Sequence, residues 1–181
     1  MRFRCADIEA TRVASLALSH VIDAKGLTLS LIGPLGAGKT AFVKGLAEGL
    51  GIDPAGVSSP TFVIANQYAS PDGRQLAHVD LYRLETVSEL DDVGFLDMLE
   101  PGAIVAVEWG DRLPDALPRD RLELRVDREA GAEESRSFAV SATGRDSQRV
   151  LEAWQSRLRE ASDCSSARAR LELVLERVEN G

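Results

Sequence analysis

The spacing of hydrophobic residues in the N-terminal part of the chain predicts a helix, a strand and a second helix. Apolar side chains recur at helical intervals over residues 7–23, and Gly26 follows as a helix-ending residue. Residues 27–32 form a short apolar run that is typical of a buried strand. A second helix is predicted over residues 39–50, where Gly51 provides the stop.

The central part of the chain predicts two hairpins and one further buried strand. Residues 62–68 and 75–81 are the strands of the first hairpin, because a turn sequence lies between them. After an acidic, loosely helical segment, residues 103–107 form an uninterrupted apolar run of the buried parallel-strand type. Residues 122–126 and 137–141 are the strands of the second hairpin. Helices interleaved with strands favour an α/β fold in which helices cover a sheet.

Beyond residue 146 the pattern changes to two amphipathic helices. Their apolar stripes consist of Val150, Leu151, Trp154 and Leu158, and of Leu171, Val174, Leu175 and Val178. We therefore predict a main domain at residues 1–145 and a C-terminal helical extension at residues 146–181. Because helices this short are marginal alone, we expect residues 147–178 to fold back as two helices on the main domain. Docking of the second helix on a partner is the alternative.

Composition and charge narrow the classes of function. The chain has 181 residues and 44% hydrophobic content, enough for one folded domain with a short appendage. Its formal net charge of -8 opposes unaided binding to a nucleic-acid backbone. Cys5 and Cys164 form no metal-ligand or CxxC spacing. No signal peptide or membrane span is recognisable, so the cytoplasm is the expected location.

Residues 33–40 read GPLGAGKT, which fits the P-loop pattern of glycine, four residues and Gly-Lys-Ser/Thr. Glycines let successive backbone N–H groups converge on a phosphate, and the helix that follows adds its positive dipole end. Lys39 would neutralise the β- and γ-phosphates, and the Thr40 hydroxyl is an oxygen ligand suited to Mg²⁺. A chance glycine-rich turn is the competing interpretation, but a strand precedes this loop and a helix follows it. Asn66 and Asn180 precede no lysine, so no guanine-reading Asn-Lys element is present and ATP is favoured over GTP.

A P-loop site also needs an acidic residue at the end of a neighbouring strand. Glu108 directly follows the apolar residues 104–107, and Asp80 follows a weaker strand. Either acid is a candidate for Mg²⁺ or water placement, although solvated acids at strand ends are common. Ser59-Pro60-Thr61-Phe62 lies where P-loop switch proteins have a mobile loop. Trp109 is interpreted as a stacking or packing residue, and His78 as structural.

Four motifs together resemble the TsaE family, the bacterial ATPase component of tRNA threonylcarbamoyladenosine biosynthesis. They are GPLGAGKT at 33–40, SPTF at 59–62, HVDLYRL at 78–84 and VEW at 107–109, in the order and at the spacing of the family. The resemblance covers roughly residues 5–145. Pro34 replaces a more usual aspartate, and the tail after about residue 146 exceeds the common length of the family.

The resemblance implies a P-loop NTPase fold, with a mostly parallel sheet flanked by helices and an antiparallel hairpin excursion. It implies slow hydrolysis of ATP with Mg²⁺, in support of a complex of TsaD and TsaB homologues. Those partners would form threonylcarbamoyladenosine at position 37 of tRNAs reading ANN codons. The acidic chain would meet tRNA only through them, and no membrane is involved.

The resemblance also implies roles for single residues. Asp80 and Glu108 would be catalytic, and Thr40 and Glu108 would hold the metal. The nucleotide-binding set is Thr11 on the adenine side, Leu35, Gly36, Ala37, Gly38, Lys39, Thr40, Ala41, Thr61, Trp109 and Arg136.

Two other functions share the same P-loop. A small-molecule kinase would need a lid with arginines, and no compact arginine-bearing lid is evident between Gly110 and Arg121. A non-hydrolysing ATP-dependent switch needs the same magnesium and loop elements, so the sequence separates it from an ATPase only weakly.

Overall fold

The computed structural model describes residues 1–61, 63–129, 131–163 and 171–174, without the side chains of residues 163 and 171–174. Within these ranges the protein is a mixed α/β structure with one eight-stranded sheet. The strands are β1 (Arg2–Cys5), β2 (Leu27–Ile32), β3 (Ala65–Ala69), β4 (Gln75–Asp80), β5 (Ile104–Glu108), β6 (Leu122–Glu129), β7 (Ala132–Ala142) and β8 (Leu171–Val174). The α-helices are α1 (Ile8–Ser19), α2 (Lys39–Gly49), α3 (Val87–Asp92) and α4 (Arg145–Asp163).

The strand order across the sheet is β3-β4-β5-β2-β6-β7-β1-β8. The four central strands, β4, β5, β2 and β6, pair in parallel. All other pairings are antiparallel. The prediction of a mostly parallel sheet is therefore confirmed for these four strands and wrong for β3, β7, β1 and β8. In the β3–β4 and β6–β7 hairpins the short connecting loops require antiparallel pairing. The first hairpin is also no excursion, since both of its strands belong to the sheet.

Helices cover one face of the sheet, and shorter elements cover the other. One core cluster contains residues of α1, α2, α4 and the sheet. Within it, aromatic contacts join α2 and α4 to the sheet through Phe3, Phe42, Phe138 and Trp154. The second cluster packs α3 and a short 3-10 turn at Leu96–Leu99 against β4 and β5. The catalytic and phosphate-binding candidates thus lie on a sheet that is buried on both faces at its centre.

Local capping explains where several helices begin. Asp7 is the N-cap of α1, and its side chain accepts a hydrogen bond from the Ala10 N–H. Thr86 and Glu89 form a reciprocal capping box at the start of α3. For α4 the acceptor comes from outside the helix, because the Asp120 carboxylate accepts from the N–H groups of Asp146 and Ser147. This contact fixes α4 to the end of the sheet.

The C-terminal segment confirms one predicted helix and corrects the other. The stripe formed by Val150, Leu151, Trp154 and Leu158 is buried on the core as part of α4. The second helix is wrong at Leu171–Val174, which is the strand β8 and pairs with β1. A free edge on β1 explains the difference, because main-chain pairing there outweighs the helical spacing of the apolar residues. The remainder of the predicted second helix lies outside the described residues.

Two further expectations concern boundaries and membranes. The division between residues 145 and 146 stays a prediction, although α4 packs in the same core as α1 and α2. Among the described residues, none of the helices combines the length and the apolar character needed to cross a membrane.

Candidate functional site

A glycine-rich loop, residues 33–40, connects the carboxyl end of β2 to the start of α2. Gly33, Gly36 and Gly38 have φ angles of 153, 71 and 108°, which glycine adopts without the steric cost of a Cβ. Gly38 is the N-cap of α2 and brings no side chain to cap the helix. The first N–H groups of α2 and its positive dipole end therefore face the loop, which is a favourable place for an anion.

Lys39 is held across the base of this loop. Its Nζ donates to the carbonyl oxygens of Gly33 at 2.7 Å and Pro34 at 3.0 Å. The same atom lies 3.8 Å from the centre of the Trp109 ring, at cation–π distance. Burial lowers the pKa of Lys39, and the negative charge of Glu108 is the largest influence that opposes this shift. The amine is thus already oriented by main-chain and ring contacts.

Glu108 is the centre of a buried polar chain. Its Oε1 accepts from the Thr40 hydroxyl at 2.7 Å and is 2.9 Å from Nε2 of His78. His78 is fully buried, and its Nδ1 has no partner among the described residues. The parallel register of β4 and β5 creates this arrangement, since it places Asp80 opposite Glu108 and His78 two residues before it. His78 thus contacts a candidate site residue, and its interpretation as structural stays a prediction.

Asp80 is fixed by the loop that carries Ser59 and Thr61. Its Oδ2 accepts from the hydroxyls of Ser59 at 2.9 Å and Thr61 at 2.7 Å. Its Oδ1 accepts from the Tyr82 N–H at 2.9 Å. These three hydrogen bonds tie the loop to the end of β4.

These groups line one cavity of about 540 Å³. The lining residues are Leu35, Gly36, Gly38, Lys39, Thr40, Ser59, Thr61, Asp80, Tyr82, Glu108 and Trp109. Trp109 has a positive φ of 60°, an uncommon conformation for a bulky residue, and its ring lies 5.0 Å from that of Tyr82. One wall of the cavity is therefore aromatic, with the lysine against its Trp109 ring, and the two acids line the same cavity.

The β6–β7 hairpin adds two arginines beside the glycine-rich loop. Arg136 Nε donates to the Ala37 carbonyl at 2.8 Å. Arg128 donates to the Gly36 carbonyl from Nε at 3.2 Å and from Nη2 at 2.9 Å. Arg136 thus lies next to the loop, and the nucleotide contact that the family resemblance implies for it stays a prediction.

Most of the residues singled out from the sequence line this cavity, but four do not: Thr11, Ala37, Ala41 and Arg136. Arg136 contacts the Ala37 carbonyl beside the cavity. Thr11 is buried on α1, where its hydroxyl is 3.3 Å from the Asp7 carbonyl. Ala41 lies in the first turn of α2. Their nucleotide contacts stay predictions. Sequence reasoning assigned no role to Arg128, because the only signal for it is the strand register of a hairpin.

Comparison with known proteins gives consistent matches. The family model "Threonylcarbamoyl adenosine biosynthesis protein TsaE" matches residues 5–138. The tRNA threonylcarbamoyladenosine biosynthesis protein TsaE of Streptomyces coelicolor is 46% identical over 131 residues, 70% of this chain and 86% of that protein. The Bacillus subtilis protein of the same name is 39% identical over 145 residues, 80% of this chain and 87% of that protein.

A solved structure is also similar. The crystal structure of Bacillus subtilis YdiB superimposes with a TM-score of 0.65 at 30% sequence identity, covering 86% of this chain and 94% of that one. The family match spans the glycine-rich loop, both acidic strand ends and Arg136. The chain therefore belongs to the TsaE family of threonylcarbamoyl adenosine biosynthesis proteins.

Proposed function

We propose that this chain is a P-loop ATPase that binds Mg²⁺-ATP, hydrolyses it slowly and supports threonylcarbamoyladenosine formation on tRNA. The observation that carries the proposal is the convergence of Lys39, Thr40, Glu108 and Asp80 on one cavity at the start of α2. A lysine, a helix start and two acids in this arrangement are the parts that phosphoryl transfer from ATP requires.

The phosphate end of the nucleotide would lie in the glycine-rich loop. Lys39 has two carbonyl contacts and a ring contact that bound phosphate would replace or share. The N–H groups at the start of α2 would complete the anion site. Trp109 and Tyr82 supply an aromatic wall beside it.

The side-chain oxygen atoms of Thr40 and Glu108 are suitable ligands for a magnesium ion. The two groups are joined by a 2.7 Å hydrogen bond, so their oxygens already occupy one small volume at the loop. Hydroxyl and carboxylate oxygens are ligands that Mg²⁺ accepts, with phosphate oxygens and water filling the other positions. When bound, the ion would neutralise the charge that develops on the phosphates.

Asp80 is suited to orienting the attacking water. Its carboxylate lies opposite Glu108 in the sheet and lines the same cavity. Ser59 and Thr61 keep it pointing in one direction. Because Thr61 belongs to the loop and also lines the cavity, a change at the terminal phosphate would reach that loop directly.

The partners we propose are homologues of TsaD and TsaB, which would transfer the threonylcarbamoyl group to adenosine 37 of tRNAs reading ANN codons. The net charge of -8 supports an indirect relation to tRNA, since an acidic protein repels the phosphate backbone. The ATP cycle of this chain would then act on the partner complex, in the cytoplasm and without a membrane.

Nucleotide binding provides the first test. Lys39→Ala should weaken ATP binding in calorimetry by about a hundredfold, because it removes a charged hydrogen-bond donor from the phosphates. Lys44→Ala is the matched control, since Lys44 is an exposed lysine on the same helix. Unchanged ATP affinity in Lys39→Ala would contradict the proposal.

Reconstitution provides the second test. tRNA threonylcarbamoylation by the partner proteins should continue over many turnovers only when this chain and ATP are both present. Phosphate release, measured with and without the partners, should rise with them. Stimulation of tRNA modification by ATP without phosphate release would indicate a non-hydrolysing switch, and phosphate transfer to a small molecule would indicate a kinase.

A further inference from the structure

Arg128 and Arg136 lie directly opposite each other in the antiparallel register of β6 and β7. Like charges in such a pair are normally unfavourable. All the hydrogen bonds that the two side chains make with described residues end on main-chain carbonyls. Both arginines therefore bind main-chain carbonyl groups, and the segment that both of them contact is the glycine-rich loop.

The contact between Arg128 and the loop is close. Two of its nitrogen atoms, Nε and Nη2, donate to the single carbonyl oxygen of Gly36. A Cβ added to Gly36 would lie only 2.3 Å from Nη2 of Arg128, so the guanidinium occupies space that any larger residue would fill. Gly36 also has a φ of 71°, a conformation that favours glycine.

Because the peptide bond is planar, these contacts with carbonyl groups also fix the directions of the N–H groups in the loop. In a planar trans peptide the C=O and the following N–H point in opposite directions. With the Gly36 carbonyl held by Arg128, the Ala37 N–H points back into the turn, where it donates to Pro34 at 3.1 Å. With the Ala37 carbonyl held by Arg136, the Gly38 N–H points away from the arginines.

We propose that Arg128 is a positioning residue that, together with Arg136, fixes the main chain of residues 36–38 in the glycine-rich loop before nucleotide arrives. This role rests on the proposed function, because it concerns the same phosphate site. Arg128 contacts the main chain rather than the phosphates, so its effect should be the same for every nucleotide that places a β-phosphate in the loop.

The test compares Arg128→Gln with Arg125→Gln. Arg125 is an exposed arginine on the same strand, and because it lies three residues before Arg128 its side chain is on the opposite face of the strand. ATP and ADP affinities are measured by calorimetry for the wild type and both variants. We expect Arg128→Gln to weaken both nucleotides by about tenfold and equally, as loss of a charged hydrogen bond predicts, with Arg125→Gln unchanged.

A second readout needs no nucleotide. Hydrogen exchange of the nucleotide-free protein should be faster over residues 35–38 in Arg128→Gln than in the wild type, with β2 and α2 unaffected. Arg128→Lys keeps the charge but cannot make both bonds to Gly36, so it should show the same faster exchange.

The outcomes separate the two proposals. If the wild-type protein binds neither nucleotide, the proposed function fails. If the wild type binds and Arg128→Gln binds equally well, the positioning role is overturned while the proposed function stands. Weaker ATP binding with unchanged ADP binding would also overturn it, since it would place Arg128 on the terminal phosphate. If the loop amides of Arg128→Lys exchange as slowly as those of the wild type, a positive charge alone is sufficient. That result would contradict the importance of the two hydrogen bonds from Arg128 to Gly36.

Discussion

At the scale of single residues, the position of Glu108 depends on groups from three elements. Its buried carboxylate accepts from Thr40 at the start of α2 and contacts His78 on β4, while β5 carries it. Removal of the carboxylate would leave both neighbours without their common acceptor. In the proposed function, Glu108 and Asp80 would place the metal and the attacking water, and such interactions matter more in the transition state than in nucleotide binding.

We therefore predict that Glu108→Ala and Asp80→Ala each lower the rate of phosphate release by about a hundredfold, the scale of lost acid–base or metal assistance. ATP affinity should fall by less than this. Asp127→Ala, an exposed acid on β6, is the control and should keep the wild-type rate. Wild-type phosphate release in both Glu108→Ala and Asp80→Ala would remove the proposed roles from these carboxylates.

At the scale of elements, the close packing of α1 on α2 sets the position of the glycine-rich loop. A Cβ at Gly45 would lie 2.0 Å from the Ser15 hydroxyl and 3.1 Å from the Arg12 Cα. The Ser15 hydroxyl is itself fixed, since it lies 3.0 Å from the carbonyls of Thr11 and Arg12. The Arg12–Glu48 ion pair joins the two helices at their surface.

Gly45→Ala should therefore lower the free energy of unfolding by about 1–2 kcal/mol, because overpacking outweighs the helix propensity that alanine adds. Urea denaturation measures the change. Gly56→Ala is the control, since a Cβ there meets no atom within 4 Å. Adding Ser15→Ala to Gly45→Ala should restore part of the lost stability. If Gly45→Ala were instead more stable than the wild type, α1 and α2 would be able to move apart at little cost.

The same scale shows what the sequence could predict. Periodicity located β2 and α2 to within a residue, because the motif and the flanking apolar run reinforce each other. It missed β1, which is four residues long and depends on β7 and β8 for its pairing. It misassigned residues 171–174 for the same reason. Local spacing favoured a helix, and only a distant strand edge favours β8.

In the candidate site, too, some residues are recognisable from local sequence motifs, whereas others are recognisable only from the pairing of distant strands. Lys39, Thr40, Asp80 and Glu108 carry motif signals that a sequence displays directly. The contact of His78 with Glu108 needs the parallel register of two strands, and that of Arg128 needs the register of a hairpin. Residues that support a site through strand pairing are therefore found only once the sheet is known.

At the scale of the whole molecule, α4 is part of the core that supports the glycine-rich loop. Trp154 is fully buried, lies 5.9 Å from the Phe42 ring on α2, and donates from Nε1 to the Ala14 carbonyl at 2.9 Å. We predict that Trp154→Ala lowers the free energy of unfolding by about 3–5 kcal/mol, the range for a large buried aromatic residue.

Thermal or urea denaturation followed by circular dichroism measures this loss. Arg159→Ala, at an exposed position on the same helix, should leave the stability near that of the wild type. The wild type should unfold in a single transition, because α4 shares the core of α1 and α2. A separate early transition for α4 would contradict this shared core.

The two ends of the described chain also meet, since β8 pairs with β1 at the edge of the sheet. Met1 and Val140 exchange both of their main-chain hydrogen bonds, each at 2.8 Å. Because hydrogen-bonded pairs alternate along an antiparallel ladder, Phe3 and Cys5 also bond to β7. The N–H groups of Arg2 and Arg4 therefore point toward β8.

Amide exchange measured residue by residue should reveal this alternation. In the full chain we expect slow exchange at Arg2, Phe3, Arg4 and Cys5. Deletion of residues 164–181 should speed exchange at Arg2 and Arg4 only, since Phe3 and Cys5 retain their bonds to β7 and act as internal controls. Fast exchange at Arg2 and Arg4 in the full chain would contradict the pairing of β8. Equal acceleration at all four amides would instead show that β8 holds β1 on the sheet as a unit.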